Sequence, residues 1–330
     1  MTAFQQHLLI DNLYLYLGVI ALLSFSASCS REDLLKNPQQ QIDPNSYTLL
    51  RDSTVNNVED IASAPKATIQ TIMPLNGNYS PHPQGGDCFG NIFFQFSTGN
   101  RVVRIYDLLK KELIQTLSID EKNRGFVSNC HCNTVCFGTT YFDKNDDFPL
   151  LYVSTGYTAS RHSGALVYRI LKEENEFNLT LVQTIRFPII DNVSWTEFIP
   201  AGDISFIRYE HSFYEIKTPS LQEGDILFSP EDSTRIVKFP ERPTWLQGSR
   251  GQDQKFRNGK IIMTSGVPQT SEESAFIIMD LSRKEWEFIL DFKKIGLYNE
   301  SESVFFWGER LCIAFTDRIV SIDLSEFNFF

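Results

Sequence analysis

Three carboxylates stand where acid–base chemistry could be done. Asp87, Glu197 and Glu302 lie in separate short polar stretches, Gln84-Gly85-Gly86-Asp87-Cys88, Trp195-Thr196-Glu197-Phe198 and Glu300-Ser301-Glu302-Ser303-Val304. Cleaving a glycosidic bond takes two such groups at a fixed separation, one to protonate the leaving oxygen and one to act as base or nucleophile. No hydrolase motif surrounds these three, and in a chain with 41 acidic residues three such positions arise readily by chance. The same stretches and their counterparts also carry groups suited to holding a ligand: Gln84, His131, Asn133, Gln247, Arg250, Glu300 and Glu302. Amides, an imidazole and charges converging on a rigid scaffold make a ligand site. They serve equally well to satisfy one another and bound water in a narrow polar channel.

Other chemistries find less support. Cys130-His131-Cys132 and Cys136 form a cluster, but a zinc site usually draws a second ligand pair from another loop, and the sequence offers none. On an extended strand these three cysteines share one face, so buried apolar thiols are expected there and no metal. There is no Gly-x-Ser-x-Gly elbow, and Gly85-Gly86 opens a strand rather than a helix, so neither a serine nucleophile nor a phosphate-binding or dinucleotide loop is expected, and no cofactor. His82, His162 and His211 lie in turn-like polar stretches and read as solvated.

The elements that must position these groups are strands. Apolar runs such as Ile92-Phe93-Phe94-Gln95-Phe96, Leu150-Leu151-Tyr152-Val153, Ile261-Ile262-Met263 and Leu311-Cys312-Ile313 follow Gly- or Asn-bearing turns, and a weaker copy is Ile204-Ser205-Phe206-Ile207. Each is followed by a second strand (Val102 to Leu108, Ala165 to Ile170, Ser212 to Ile216, Ala275 to Leu281, Arg318 to Leu324), and four of them by a third. β-Branched and aromatic residues dominate, and turns punctuate at short spacing. Counted from Gln84, His131, Trp195, Gln247 and Glu302, the polar stretches that open each unit recur about every 50 residues, a blade-like period. Four strands per unit and five units predict an all-β fold, a β-propeller whose innermost strands carry the polar residues to the channel mouth. Counting weak segments near Ser128 and Glu241 as strands would give six blades. The last unit lacks an outer strand, and Lys66 to Met73 echoes Leu113-Ile114-Gln115-Thr116-Leu117, so the N-terminal strand is expected to complete the last blade and close the ring.

Composition bounds the partners. The chain has 330 residues, 42% hydrophobic, with 30 Lys+Arg against 41 Asp+Glu and a net charge of -11. Phosphate backbones are held by clustered cations, which are missing here, so nucleic acid is excluded as an expected partner. Leu13 to Ala27 is an apolar run of signal-peptide length, ending in Ser26-Ala27-Ser28-Cys29. Small residues before a cysteine resemble a lipobox, although Ser26 replaces the usual Leu and Met1 to Asn12 holds no Lys or Arg. Ser30-Arg31-Glu32-Asp33 then resembles the acidic export signal of Bacteroides-type surface lipoproteins. The expected organisation is a signal peptide over 1–28, lipidated Cys29 and a polar tether over 29–65, and the propeller over 66–330.

A wider resemblance rests on Gln84-Gly85-Gly86 before an apolar strand, Ile105-Tyr106-Asp107-Leu108, His131-x-Asn133 leading to Phe148-Pro149-Leu150-Leu151-Tyr152-Val153-Ser154, and Glu300-x-Glu302. Over roughly residues 66 to 324 this pattern is similar to a group of Bacteroides-type β-propeller lipoproteins. It implies a secreted propeller, related in form to YncE-like and quinoprotein-like propellers, and no particular activity. The function expected is therefore that of a lipid-anchored binding or scaffold module in the outer membrane, facing the cell exterior, with a glycan or protein ligand at the channel mouth. The alternative is a carbohydrate-active hydrolase or lyase using Asp87, Glu197 and Glu302.

Overall fold

A computed structural model of the chain describes residues 40–41, 47–49, 67–76, 80–124, 131–156, 163–174, 176–187, 197–209, 211–221, 226–241, 251–266, 274–327 and 329–330. Five antiparallel four-stranded units follow one another along the chain and form a five-bladed β-propeller. From the axis outward, the first blade is Pro83–Phe89, Ile92–Ser97, Val102–Asp107 and Glu112–Ser118. The second is Val135–Phe137, Leu151–Ser154, Ser163–Glu173 and Glu176–Phe187. The third is Glu197–Ala201, Ile204–Tyr209, Ser212–Lys217 and Arg235–Lys238. The fourth is Gly251–Arg257, Lys260–Ser265, Ala275–Asp280 and Glu285–Asp291. The fifth is Ser301–Trp307, Arg310–Phe315 and Arg318–Asp323, completed by Thr68–Pro74.

The strands beside the inner ones are mostly apolar and almost wholly buried because both faces of a blade are covered. Along Ile92–Ser97, Phe94 and Phe96 pack with Val135, Leu151 and Val153 of the second blade, while Phe93 packs with Phe305 and Cys312 of the fifth. Alternate side chains of one strand thus enter two different cores. The same arrangement recurs at the other interfaces: Tyr152 and Val167 with Phe198 and Ile207, Ile199 and Phe206 with Ile261 and Met263, Ile262 and Phe276 with Val304 and Ile313. A core between the fifth and first blades shows that the ring is closed.

Closure takes the expected form. Thr68–Pro74 runs antiparallel to Arg318–Asp323, with Thr68 opposite Asp323 and Met73 opposite Ile319. Two short strands from the stretch read as a tether also lie against outer edges: Gln40–Gln41 pairs with Thr68–Pro74, and Tyr47–Leu49 pairs with Glu285–Asp291. Such additions cover edges that would otherwise offer unpaired backbone groups. The six-blade count is corrected: Glu241 is not in a strand, and Ser128 lies outside the described residues. Residues 1–39, which include the stretch expected to be a signal peptide and Cys29, also lie outside them.

Candidate functional site

The inner strands of the first, fourth and fifth blades carry polar residues near their starts, and these three share an irregularity. Pairing with the second strand breaks between Pro83 and Gly86, between Gly251 and Gln254, and between Ser301 and Ser303. A bulge of this kind re-aims side chains. The residue just after the first paired position is Gln84, Gln252 and Glu302 respectively, so an amide, an amide and a carboxylate occupy equivalent places in three blades.

These residues meet at one mouth of the channel. Glu302 is 2% exposed, and its Oε1 lies 3.4 Å from Nδ1 of half-exposed His82 without a hydrogen-bond partner. Glu300 accepts a 2.7 Å hydrogen bond from Nε2 of Gln252. Gln84 is engaged at both ends of its amide: its Oε1 lies 3.2 Å from Nδ1 of His131 and its Nε2 donates to the Pro83 carbonyl at 2.9 Å. Burial pushes both carboxyls upward, and for Glu302 the neighbouring Glu300 charge adds to the shift; for Glu300, His82 and the Gln252 amide pull back. His82, Glu300 and Glu302 each offer a ligating atom within 4.8 Å of the other two. Asn133 is buried beside this region of the chain, and neither end of its amide has a protein partner.

Gly85 makes this close approach feasible. Its N–H donates to the Cys132 carbonyl at 2.8 Å, and a Cβ at Gly85 would fall 1.9 Å from the Asn133 carbonyl oxygen. A backbone contact of that kind between neighbouring blades tolerates only hydrogen at the α-carbon.

A second charged layer is enclosed. Lys255 donates to both carboxylate oxygens of Asp253, at 2.8 and 2.7 Å. Asp253 also accepts from the backbone N–H of Gln254 at 2.7 Å and, across to the fifth blade, of Val304 at 3.0 Å. Burial pushes the Asp253 carboxyl up and Lys255 pulls it down. Three donors thus make four hydrogen bonds to its two oxygens, which hold the carboxyl against the upward pull of burial. Asp87 repeats the device: Oδ1 accepts from Cys88 N–H and Oδ2 from Phe137 N–H of the second blade, both at 2.8 Å. Glu197 accepts from Arg208 at 3.0 Å. The Lys255 charge acts on Asp87 and Glu197 as well as on Asp253. The Cys136 thiol, from the second blade, donates to the Gln254 carbonyl of the fourth at 3.3 Å.

The carboxylates read from the sequence therefore divide between two places. Asp87 and Glu197 belong to the enclosed layer around Lys255, and Glu302 belongs with Glu300 and His82 at the mouth. Gln84 lies against His131 and Glu302 against His82, with Glu300 nearby; Gln247 and Arg250 lie outside the described residues, and the inner strand of their blade is Gly251–Arg257. His82 is exposed outside any strand, as expected of a solvated turn, and its Nδ1 also lies 3.4 Å from Glu302 Oε1. Cys132 and Cys136 are buried, as expected of thiols in that stretch, but they enter different cores, because only Val135–Phe137 is extended as strand. Gln252, Asp253 and Lys255 were missed. Counting five residues back from the strand ends Phe89, Arg257 and Trp307 would have found Gln252 beside Gln84 and Glu302.

No protein-family model matches the chain, and no curated protein matches it in sequence. Among solved structures, similarity extends to the glutaminyl cyclase of Myxococcus xanthus, with a TM-score of 0.47 and 10% identity over 77% of this chain and 95% of that one. It extends also to a catalytically inactive virginiamycin B lyase of Staphylococcus aureus, with a TM-score of 0.43 and 11% identity over 78% and 99%. An endo-arabinanase of Bacillus licheniformis has a TM-score of 0.40 and 9% identity over 76% and 96%. Likeness at this level carries no functional argument, so the fold stands on its own blades and the function on the channel mouth.

Proposed function

We propose that this chain is a noncatalytic binding module, anchored by lipid at Cys29 to the outer membrane and facing outward, whose ligand seats at the channel mouth on His82, Gln84, His131, Gln252, Glu300 and Glu302. The observation that carries the reading is Glu302. A carboxylate that is 2% exposed, beside a second carboxylate and with one oxygen unpartnered, weakens the fold it sits in. An unpartnered buried polar group costs about 1–3 kcal/mol, and a charge more. A ligand that supplies the missing donor or charge would recover that energy on binding, which is what a binding site requires.

Glu302→Gln keeps the shape and removes the charge. Because burial raises the carboxyl in the folded state above its unfolded value, the native chain holds its proton more tightly, and stability is lost as pH rises through the raised value. The variant is therefore expected to melt at or above the wild-type temperature at pH 8 and to lose binding in a glycan-array and protein-ligand screen in which wild type binds. Unfolding of Glu302→Gln, with no ligand that tells it from wild type, would make the carboxylate structural and remove the reading. For the anchor, Cys29→Ala is expected to leave an unprocessed chain without lipid; a variant still processed and found in the membrane fraction would exclude Cys29 as the attachment point.

A hydrolase or lyase is the second reading, and the approach of Glu300 to Glu302 is what favours it. Two neighbouring carboxyls, with Glu302 raised by burial and by the Glu300 charge, can share one proton as an acid and its partner do. Asp87, by contrast, has both oxygens committed to backbone N–H groups, and Glu197 is fully buried against Arg208. Two of the three carboxylates expected to do the chemistry have structural partners.

A further inference from the structure

We propose that the channel mouth holds a divalent cation of the first transition row, zinc or manganese, on His82 Nδ1, Glu300 and Glu302. The inference rests on the reading of the mouth as the binding site and specifies what binds there. Three observations on different elements support it. His82 precedes the inner strand of the first blade, while Glu300 and Glu302 flank the start of the inner strand of the fifth, so two blades supply the ligands. Their ligating atoms lie within 4.8 Å of one another. Glu302 Oε1 is buried, unpartnered and aimed at the imidazole.

The spacing suits a shared ion. At 3.4 Å, Nδ1 and Oε1 are too far apart for a strong charge-assisted bond, which closes to about 2.7–2.9 Å. Two bonds of about 2.1 Å meeting at a tetrahedral angle put their outer atoms about 3.4 Å apart. One imidazole and two carboxylates form a mixed nitrogen and oxygen set, which suits zinc or manganese better than the all-oxygen ions magnesium and calcium. Nδ1 also lies 2.9 Å from the Pro83 carbonyl, the natural acceptor for its proton when no ion is bound. An ion taking that nitrogen would displace the proton, so binding would release protons to solvent. Gln252, donating to Glu300 at 2.7 Å, is the outer partner that orients one carboxylate and leaves its remaining lone pairs for the ion. His82 is about half exposed, with 45% of its side chain accessible, so a fourth coordination position would face the mouth and accept an oxygen ligand.

The test uses the full chain, purified in detergent, stripped with chelator and titrated calorimetrically with zinc, manganese and calcium. One equivalent of zinc or manganese should bind and raise the melting temperature, calcium should bind at least about tenfold more weakly, and Glu300→Gln and His82→Ala should each weaken zinc binding at least about tenfold. Glu300 is only partly buried, so its variant keeps the experiment informative if His82→Ala is poorly folded. No binding, or binding that survives both substitutions at full strength, overturns the proposal; the second outcome would place the ion on other histidines or thiols. Failure here is separable from failure of the binding-module reading: a glycan or protein ligand that binds chelated wild type and is lost in Glu302→Gln keeps the module and removes the ion.

Discussion

Replacing Lys255 by Met is expected to cost the protein about 3–5 kcal/mol, the usual penalty for stranding one partner of a buried ion pair. For a domain of this size that lowers the melting temperature by roughly 6–20 °C. The reason is the number of carboxylates that one ammonium serves. Lys255 donates to both oxygens of Asp253, and its charge also offsets Asp87 and Glu197, each buried. Methionine fills the volume of the lysine stem but supplies neither the donors nor the charge. The carboxyls can then escape only by protonating, which raises their folded-state values further. The variant should therefore be most nearly wild type near pH 5 and lose ground steadily toward pH 8, because the native state binds more protons than the unfolded state in that window. Combining Lys255→Met with Asp253→Asn should recover part of the loss, since a neutral amide still suits the Gln254 and Val304 N–H donors through its oxygen. Circular dichroism melts at both pH values measure this. A Lys255→Met protein melting within about two degrees of wild type at pH 8 would show that the enclosed layer contributes little to stability.

That layer is also where the sequence was hardest to read. Apolar strands announce themselves: Ile261-Ile262-Met263 and Leu311-Cys312-Ile313 are covered on both faces and can be little else. Gly251–Arg257 reads Gly-Gln-Asp-Gln-Lys-Phe-Arg, which hydropathy assigns to a loop, and its first five residues are nonetheless buried. Burial there is around a channel axis, where polar groups satisfy one another across blades, and no local pattern records a partner 51 residues away such as Val304 for Asp253. The inner strand of the fourth blade was accordingly placed too early, at Gln247 to Arg250. Gln84 and Glu302 were found because their blades carry shorter polar stretches with apolar neighbours close behind. Separating the mouth from the enclosed layer needed coordinates, because Asp87 and Glu302 sit on equivalent strands and differ only in how far along the strand they lie.

Removing residues 66–74 is expected to abolish the cooperative melt or send the chain to aggregates. The segment is peripheral in sequence but contributes to two cores at once: Ile69 packs between the fourth and fifth blades, and Ile72 and Met73 pack between the fifth and first. Truncating one such side chain costs about 2–5 kcal/mol. Losing three together removes about as much as the whole net stability of an ordinary domain, about 5–15 kcal/mol. The deletion also bares Arg318–Asp323 along the row of backbone groups that Thr68–Pro74 now pairs, and an exposed edge with apolar faces recruits another chain. Loss of folding alone could follow from any large deletion, so a rescue is needed. Adding residues 66–74 back after Phe330 through a flexible linker should restore a cooperative melt, because the strand would again reach the edge of Arg318–Asp323. It is the pairing, rather than the position of the segment in the chain, that closes the ring. A deleted chain that stays monomeric and melts at the wild-type temperature, or an appended strand that restores nothing, would show that the fifth blade holds without it.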